Sequence, residues 1–303
     1  MRMRVIPYVL SLLACGGTAL AADAWQALPS TAPAPADNPT TAAKVELGKM
    51  LYFDTRFSST GTVSCFSCHN VMEGGDDHRP TSIGVHGQVG GRNAPTVWNA
   101  AFHSVQFWDG RAPSLEEQSK GPPANPIEMG MANLDATIGR IRAIPGYQPY
   151  FKAAFGDGDV ITMDNAAKAI AAYERTLITP NSAYDRYVKG DKTAMSAQQI
   201  KGMETFAATG CTACHSGPAF MDHQMHDLHL ERFYVAEVIN GQDNGAEGPI
   251  KTFTLRGIKD TPPYLHDGRL LTLEDTVEFF NLVLGLRLEA GEKGALVAYL
   301  RAL

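Results

Sequence analysis

Residues 65–69 read Cys-Phe-Ser-Cys-His, and residues 211–215 repeat the pattern as Cys-Thr-Ala-Cys-His. In this pentapeptide two thiols add to the vinyl groups of a porphyrin, and the histidine binds the iron axially. Two copies therefore indicate two covalently bound c-type haems. Zinc ligation and a dithiol redox pair are the alternatives for Cys-x-x-Cys, but neither accounts for the histidine after each second cysteine. The residues predicted to hold the haems are Cys65, Cys68, His69, Cys211, Cys214 and His215.

The rest of the chain reads as helical, with one haem motif in each half. Its 303 residues, 44% hydrophobic and 19% charged, are typical of a soluble globular protein of two domains. Few strand signals and no close repeat beyond the haem motifs are visible. We predict a mainly α fold with two cytochrome c-like domains, 23–180 and 181–303, each with one haem. The spacing of apolar residues predicts helices over 41–52, 134–144, 150–155, 163–178, 196–208, 273–284 and 292–302.

The N-terminus has the pattern of a secretory signal peptide, over residues 1–22. A basic start with Arg2 and Arg4 precedes the apolar stretch 5–13, and Ala19-Leu20-Ala21 is a small-residue cleavage site. This segment is too short for a membrane span. We therefore predict a periplasmic protein. Cys15 is either discarded with the signal or lipid-anchored in a lipoprotein, and the sequence leaves both readings open.

The charge of the chain bears on its partners. The net charge is −6, and loss of Arg2 and Arg4 with the signal takes it to about −8. An acidic surface disfavours nucleic acid and suits a basic soluble electron donor, although moderate acidity also simply aids solubility.

Several runs outside the haem motifs carry a family resemblance. They are GRNAPT at 91–96, QFWDGRA at 106–112, LEEQ at 115–118, GP at 121–122, TLR at 254–256, TPPYLHDG at 261–268 and TLED at 272–275. With these runs the chain resembles the bacterial dihaem cytochrome c peroxidases, whose relatives include the MauG-type enzymes. The resemblance covers roughly residues 41–303.

The resemblance implies three catalytic residues around the first haem. Trp108 matches an electron relay between the haems, Gln118 a glutamine of the distal pocket, and Glu128 the catalytic glutamate. A carboxylate in a largely apolar pocket has a raised pKa, so it can move a proton between the two oxygens of a peroxide. Without the resemblance, Glu128 would read as an ordinary loop carboxylate.

The resemblance also implies a calcium ion between the two domains. Asn93, Thr261 and Pro263 match its ligands, through one side-chain amide oxygen and two backbone carbonyls. Oxygen ligands of this kind suit a hard cation. The alternative is that Asn93 and Pro263 only shape turns.

The chain departs from the family pattern at the distal ligands of both haems. His86 is the candidate that would cap the first iron at rest, although it is displaced by one residue from the usual arrangement. The second haem would take its ligand fourteen residues after His266, where Phe280 cannot bind iron. Met225 is the first candidate to replace it and His226 the second, and a five-coordinate haem is a further alternative.

These residues predict an enzyme that reduces hydrogen peroxide to water at the first haem. The second haem would receive electrons from a small cytochrome c or a cupredoxin. Two alternatives remain, a MauG-like oxidase acting on Trp or Tyr of a partner protein and a dihaem electron-transfer protein with no substrate site. Members of the family are often dimeric, so a homodimer is a further expectation.

Overall fold

A computed structural model describes residues 25–228 and 248–303, with the backbone of 238–239 and 242–243. The predicted signal peptide and Cys15 lie outside these residues. Within them, no helix is both long and apolar enough to cross a membrane. The helices are α1 (Ala42–Tyr52), α2 (Cys65–Cys68), α3 (Leu115–Ala124), α4 (Leu134–Arg142), α5 (Gln148–Phe155), α6 (Met163–Glu174), α7 (Ala183–Val188), α8 (Ala197–Ala208), α9 (Leu273–Val283) and α10 (Ala290–Leu300).

Strands make a small contribution. They are two-residue pieces, β1 (Met225–His226), β2 (Val238–Ile239), β3 (Gln242–Asp243) and β4 (Ile250–Lys251). β1 pairs with β4 and β2 with β3, both antiparallel. The prediction of a mainly α fold is confirmed.

Three helices were not predicted from the sequence: α3, α7 and the four-residue α2 within the first haem motif. α3 contains Gly121, Pro122 and Pro123, which weaken any helical signal. It begins because the Ser114 hydroxyl accepts a hydrogen bond from a backbone N–H in its first turn. α7 is only six residues long, and Ser182 caps its start in a reciprocal pair of hydrogen bonds with Asp185.

The two halves share a helix crossing that the sequence analysis did not detect as a repeat. Gly48 of α1 lies so close to α6 that an added Cβ would be 1.9 Å from the Ala169 carbonyl oxygen. Gly202 of α8 is equally close to α10, since a Cβ added to it would be 1.9 Å from the carbonyl oxygen of Ala295. In both closing helices a buried tyrosine follows the alanine by four residues. Only glycine permits this approach, so each half contains a close-packed helix pair next to its haem motif.

The described residues contain two main hydrophobic cores. One is built from α1, α4, α5 and α6, and the other from α7 to α10. The lead-in segment joins the second core, because Trp25 packs edge-on against Tyr184 and Tyr299 with ring centroids 6.3 Å apart in each case. The division at residue 180 lies between α6 and α7, and the assignment of two domains stays a prediction.

A buried ion pair ties the second core together. Arg256 and Asp185 are 2.9 Å apart, and both side chains are inaccessible to solvent. Arg256 also donates to the carbonyl oxygens of Pro218 and Gln26, while Asp185 accepts from the Leu28 N–H. The pair therefore joins the lead-in, α7 and the loop after the second haem motif.

We expect Arg256→Met to lower the free energy of unfolding by about 3–5 kcal/mol, because Asp185 is then left buried without its counter-charge. Urea titration followed by circular dichroism measures this change. The matched control is Arg301→Met, which removes an ion pair to Glu274 whose two side chains are more than half exposed. That substitution should cost about 0–1 kcal/mol. Equal losses in the two variants would contradict a dominant role for the buried pair.

Candidate functional site

The backbone of both Cys-x-x-Cys-His segments forms the same hydrogen-bonded turn. In α2 the backbone N–H of His69 donates to the Cys65 carbonyl over 3.0 Å, and in the second segment His215 donates to Cys211 over 2.9 Å. One tight turn therefore carries two thiols and an imidazole in each half. The hydroxyl of Tyr52, at the end of α1, donates to the carbonyl oxygen of His69 over 2.9 Å. This hydrogen bond fixes the first turn to the close-packed helix pair.

The histidines suit axial ligation of haem iron. The Nδ1–H of His215 donates to the Phe220 carbonyl oxygen over 3.0 Å, which leaves the lone pair of Nε2 for a metal. Burial lowers the pKa of both His69 and His215, so both imidazoles are held neutral, the form that binds iron. The residues therefore fit the covalent haems that the motifs predict.

The thiols do not resemble a reactive dithiol. Burial raises the pKa of Cys65 to about 12 and that of Cys68 to about 11, and the Glu128 carboxylate adds to the rise at both. A redox dithiol needs the opposite, a thiol whose pKa is lowered. The four cysteines are also free of disulfides. These thiols are available for attachment of a porphyrin.

Glu128 lies in the first half, near the first motif. Burial raises the pKa of its carboxyl above the ordinary value, and the charge of Arg111 and a hydrogen bond from Asn125 oppose that rise. Asn125 Nδ2 donates to Glu128 Oε1 over 2.8 Å, and Asn125 Oδ1 accepts from the Ile127 N–H over 2.9 Å. The loop therefore holds one half-buried carboxyl in a fixed orientation.

The segment that carries His86 packs directly on the Glu128 loop. The Val85 N–H donates to the Glu128 carbonyl oxygen over 2.9 Å, and a Cβ on Gly84 would be 1.9 Å from the Ile127 carbonyl oxygen. His86 itself is exposed, with a left-handed φ of 58°. Its role as a distal ligand stays a prediction, and the contacts join its loop to that of Glu128.

Trp108 lies where the two halves meet. Its indole N–H donates to the Asn93 carbonyl oxygen over 3.0 Å, in the first half. On the other side, its ring centroid lies 4.1 Å from that of Phe253 and 6.3 Å from that of His266. An indole in this position contacts both halves, as an electron relay between them requires.

Gln118 is a partly buried residue of α3. The same helix contacts the turn before Trp108, because a Cβ on Gly121 would lie 3.3 Å from the ring of Phe107. The chain thus brings α3 and the Trp108 turn together, with the Glu128 loop directly after α3.

A hydrogen bond between the halves joins the two segments that carry the predicted calcium ligands, and the ligand set itself stays a prediction. The Asn93 N–H donates to the His266 carbonyl oxygen over 2.8 Å, three residues beyond Pro263. Asn93 Nδ2 donates to the Arg79 carbonyl oxygen over 2.8 Å, which orients Oδ1 as an acceptor. Asn93 and Thr261 are both buried.

The candidates for the distal ligand of the second haem lie in different surroundings. Met225 is 37% exposed, and its Sδ would be 3.3 Å from a Cβ on Gly110, beside the Trp108 turn. His226 lies near the second motif, since its ring nitrogen, the Cys214 thiol and an Asp222 carboxylate oxygen lie within 4.8 Å of one another. His226 Nε2 is hydrogen bonded to a carboxylate oxygen of Asp222 over 2.6 Å. Met225 as a ligand stays a prediction.

The sequence analysis missed three residues near Trp108. They are Lys251, which is buried, and Phe253 and His103, which are partly buried. Phe253 packs on the indole, and Lys251 and His103 both contact Phe253. No sequence signal could have found them, because Lys251 contacts Val105 from 146 positions away along the chain.

A mainly helical chain with two haem-attachment turns defines the class of dihaem c-type cytochromes. Residues 42–193 match the model of the family described as di-haem cytochrome c peroxidase. The cytochrome c551 peroxidase of Nitrosomonas europaea is 38% identical, over 99% of this chain and 91% of that protein. The cytochrome c551 peroxidase of Pseudomonas aeruginosa is 41% identical, over 88% and 80%. The chain belongs to the di-haem cytochrome c peroxidase family, a family of oxidoreductases.

A solved structure has a similar fold. It is a MauG-like protein associated with microbial copper homeostasis, with a TM-score of 0.80 and 27% identity. The similarity covers 91% of this chain and 93% of that one. The arrangement of helices is therefore shared along nearly the whole length of both chains.

We expect the double variant Cys65→Ala/Cys68→Ala to carry one covalent haem where the natural chain carries two. The thioether bonds at the first turn can no longer form, while the second turn is unchanged. Intact-mass spectrometry and the pyridine haemochrome spectrum count the haems. Cys211→Ala/Cys214→Ala is the matched variant and should also retain one. Two haems in either variant would contradict the assignment of one haem to each turn.

Proposed function

We propose that this chain is a periplasmic dihaem peroxidase that reduces hydrogen peroxide to water with electrons from a small cytochrome c or cupredoxin. One haem would be held in residues 23–180 by His69 and the other in residues 181–303 by His215. The haem at His69 would supply a redox-active iron that binds peroxide and delivers electrons to it. Overall, one peroxide takes up two electrons and two protons and yields two waters.

The single observation that carries this proposal is the desolvated carboxyl of Glu128 near the first motif. An electron carrier with no substrate needs no acid at that position. Burial raises the pKa of Glu128, and the hydrogen bond from Asn125 fixes which oxygen remains free to exchange a proton. A carboxyl with a pKa closer to neutral accepts and returns protons more readily at working pH.

The role of Glu128 is to move a proton from one peroxide oxygen to the other. Its free carboxylate oxygen takes the proton of the oxygen that stays and gives it to the oxygen that departs as water. Gln118, on the neighbouring helix, is proposed to orient the peroxide by hydrogen bonding. Segment 84–88, which carries His86, is hydrogen bonded to the Glu128 loop. These contacts support a role for this segment in controlling the access of peroxide to Glu128.

Trp108 is proposed to carry electrons between the two halves. Its hydrogen bond to Asn93 and its packing on Phe253 support this role, since the indole bridges groups from both halves. The same region supports the calcium proposal. An ion held by Asn93 Oδ1 and the carbonyls of Thr261 and Pro263 would link the halves beside this relay.

The proposed location rests on the signal-like pattern of residues 1–22. Haem attachment to Cys-x-x-Cys-His outside the bacterial inner membrane agrees with export. Mass spectrometry of the mature N-terminus decides the matter, because a chain that begins near Ala22 is cleaved and carries no lipid at Cys15.

We expect Glu128→Gln to lower kcat with peroxide and reduced cytochrome c by about 10²- to 10⁴-fold, because an amide cannot move the proton. It keeps an oxygen that can accept from Asn125. In the natural chain, activity should be lost as the pH falls through the raised pKa of Glu128, since the proton-accepting form is the carboxylate. Steady-state rates from pH 4 to pH 8 measure both effects.

The control for this variant is Glu117→Gln. Glu117 lies in α3 and pairs with Lys120 at the surface, so its loss should change kcat by about twofold at most. Unchanged turnover in Glu128→Gln, with both haems present, would refute the proposed function.

Calcium added to chelated protein should raise the melting temperature, because an ion that binds only the folded state stabilises it. The gain is about 2.7 kcal/mol when free calcium is 100 times the dissociation constant. Asn93→Ala should abolish the calcium-dependent part of the rise. Asn165→Ala, which removes an amide bonded to the Val160 carbonyl oxygen instead, should retain it. A calcium response that survives in Asn93→Ala would contradict this site.

A further inference from the structure

A buried lysine lies against the Trp108 turn. Lys251 is 5% exposed, and its backbone N–H donates to the Trp108 carbonyl oxygen over 2.9 Å. Its side-chain Nζ donates to the Val105 carbonyl oxygen over 2.8 Å. Both ends of this residue are therefore fixed to the turn that presents the indole, so the ammonium group has a defined position relative to it.

The ammonium group of Lys251 and the indole of Trp108 both contact the ring of Phe253. Lys251 Nζ is 4.4 Å from the centroid of the Phe253 ring, and that ring is 4.1 Å from Trp108. A cation over an aromatic face is held there by the charge distribution of the ring. The positive charge is thus one ring away from the proposed relay.

The charged neighbours add no net negative charge that would cancel the lysine. Asp109 follows Trp108 directly, but two arginines, Arg92 and Arg111, pair with it at 3.4 Å and 2.9 Å. His103 lies 5.1 Å from Phe253, and burial lowers its pKa well below the ordinary value, so it is neutral. A fixed positive charge in a poorly solvated region opposes removal of an electron from a nearby group.

We propose that Lys251 is a positioning residue that protects Trp108 from oxidation during peroxide turnover. The proposal rests on the proposed function, since hydrogen peroxide is the oxidant. The reaction that Lys251 opposes converts an indole C–H into C–OH. Peroxide breaks its O–O bond, one oxygen enters the ring, and the other leaves as water, while the indole loses two electrons. The charge disfavours this oxidation, because it makes the removal of electrons from the tryptophan less favourable.

The test compares three substitutions at Lys251. Lys251→Met removes the charge, Lys251→Gln removes it but keeps a donor for the Val105 carbonyl, and Lys251→Arg keeps it. Each holoenzyme is exposed to excess peroxide without an electron donor at pH 6, because burial lowers the pKa of Lys251 to about 7. Peptide mass spectrometry then measures the fraction of Trp108 that has gained one oxygen.

Trp98 serves as the internal reference, because its indole is bonded to the Val71 carbonyl oxygen on another part of the first half. We expect the ratio of oxidised Trp108 to oxidised Trp98 to rise several-fold in the Met and Gln variants. The Arg variant should remain at the natural level. Lys259→Gln, which removes an exposed lysine from the same segment of chain, should also leave the ratio unchanged.

Each outcome decides the proposal. A separate assay supplies reduced cytochrome c and measures peroxide consumption by the natural enzyme. An unchanged ratio in the Gln variant, with peroxide consumed in that assay, overturns the role of Lys251. A parallel rise at Trp98 also overturns it, because general loosening of the fold would then be the cause. Failure of the natural enzyme to consume peroxide when reduced cytochrome c is supplied instead refutes the proposed function. If the Met variant does not bind both haems, the Gln variant, which keeps the Val105 hydrogen bond, gives the result.

Discussion

Both halves of this protein depend on the same contact, in which a glycine of one helix packs directly on a backbone carbonyl of another. Gly48 on Ala169 and Gly202 on Ala295 allow two helices to approach more closely than any side chain would permit. Each crossing joins the helix before a haem motif to the helix that closes the half. Because Tyr52 at the end of α1 is hydrogen bonded to the haem motif, the first crossing also fixes the turn that presents His69.

The functional groups lie on loops that these helices hold in place. Glu128 follows α3, and its loop is ordered by Asn125 and by the 84–88 segment, which packs against it. Burial has two consequences in this region, since it raises the pKa of the carboxyl and keeps His69 neutral. Burial therefore acts on both groups in the direction that their proposed roles require, proton transfer for Glu128 and iron binding for His69.

The contact between the halves is aromatic where electrons would pass and polar around it. Trp108 meets Phe253 and His266, while Asn93 links the same region by backbone and side-chain hydrogen bonds. A charged residue, Lys251, is buried in this contact, although burial of a charge is unfavourable. Its position beside the proposed relay is explained by the role proposed for the charge, the protection of the indole.

The sequence by itself determined the haem turns, the mainly helical fold and the family, because ligands within five residues and apolar periodicity are local properties. It also singled out Glu128 and Trp108, but only through the resemblance, and left their surroundings undetermined. The sequence did not predict helix α3, because its prolines weaken the helical signal. It did not predict the two glycine crossings either, because each depends on a partner residue that is distant in the chain. Tertiary structure alone decided that Lys251 and Phe253 contact Trp108 and that His103 packs on Phe253. Contacts across 146 positions depend on how two cores pack, which no local pattern records.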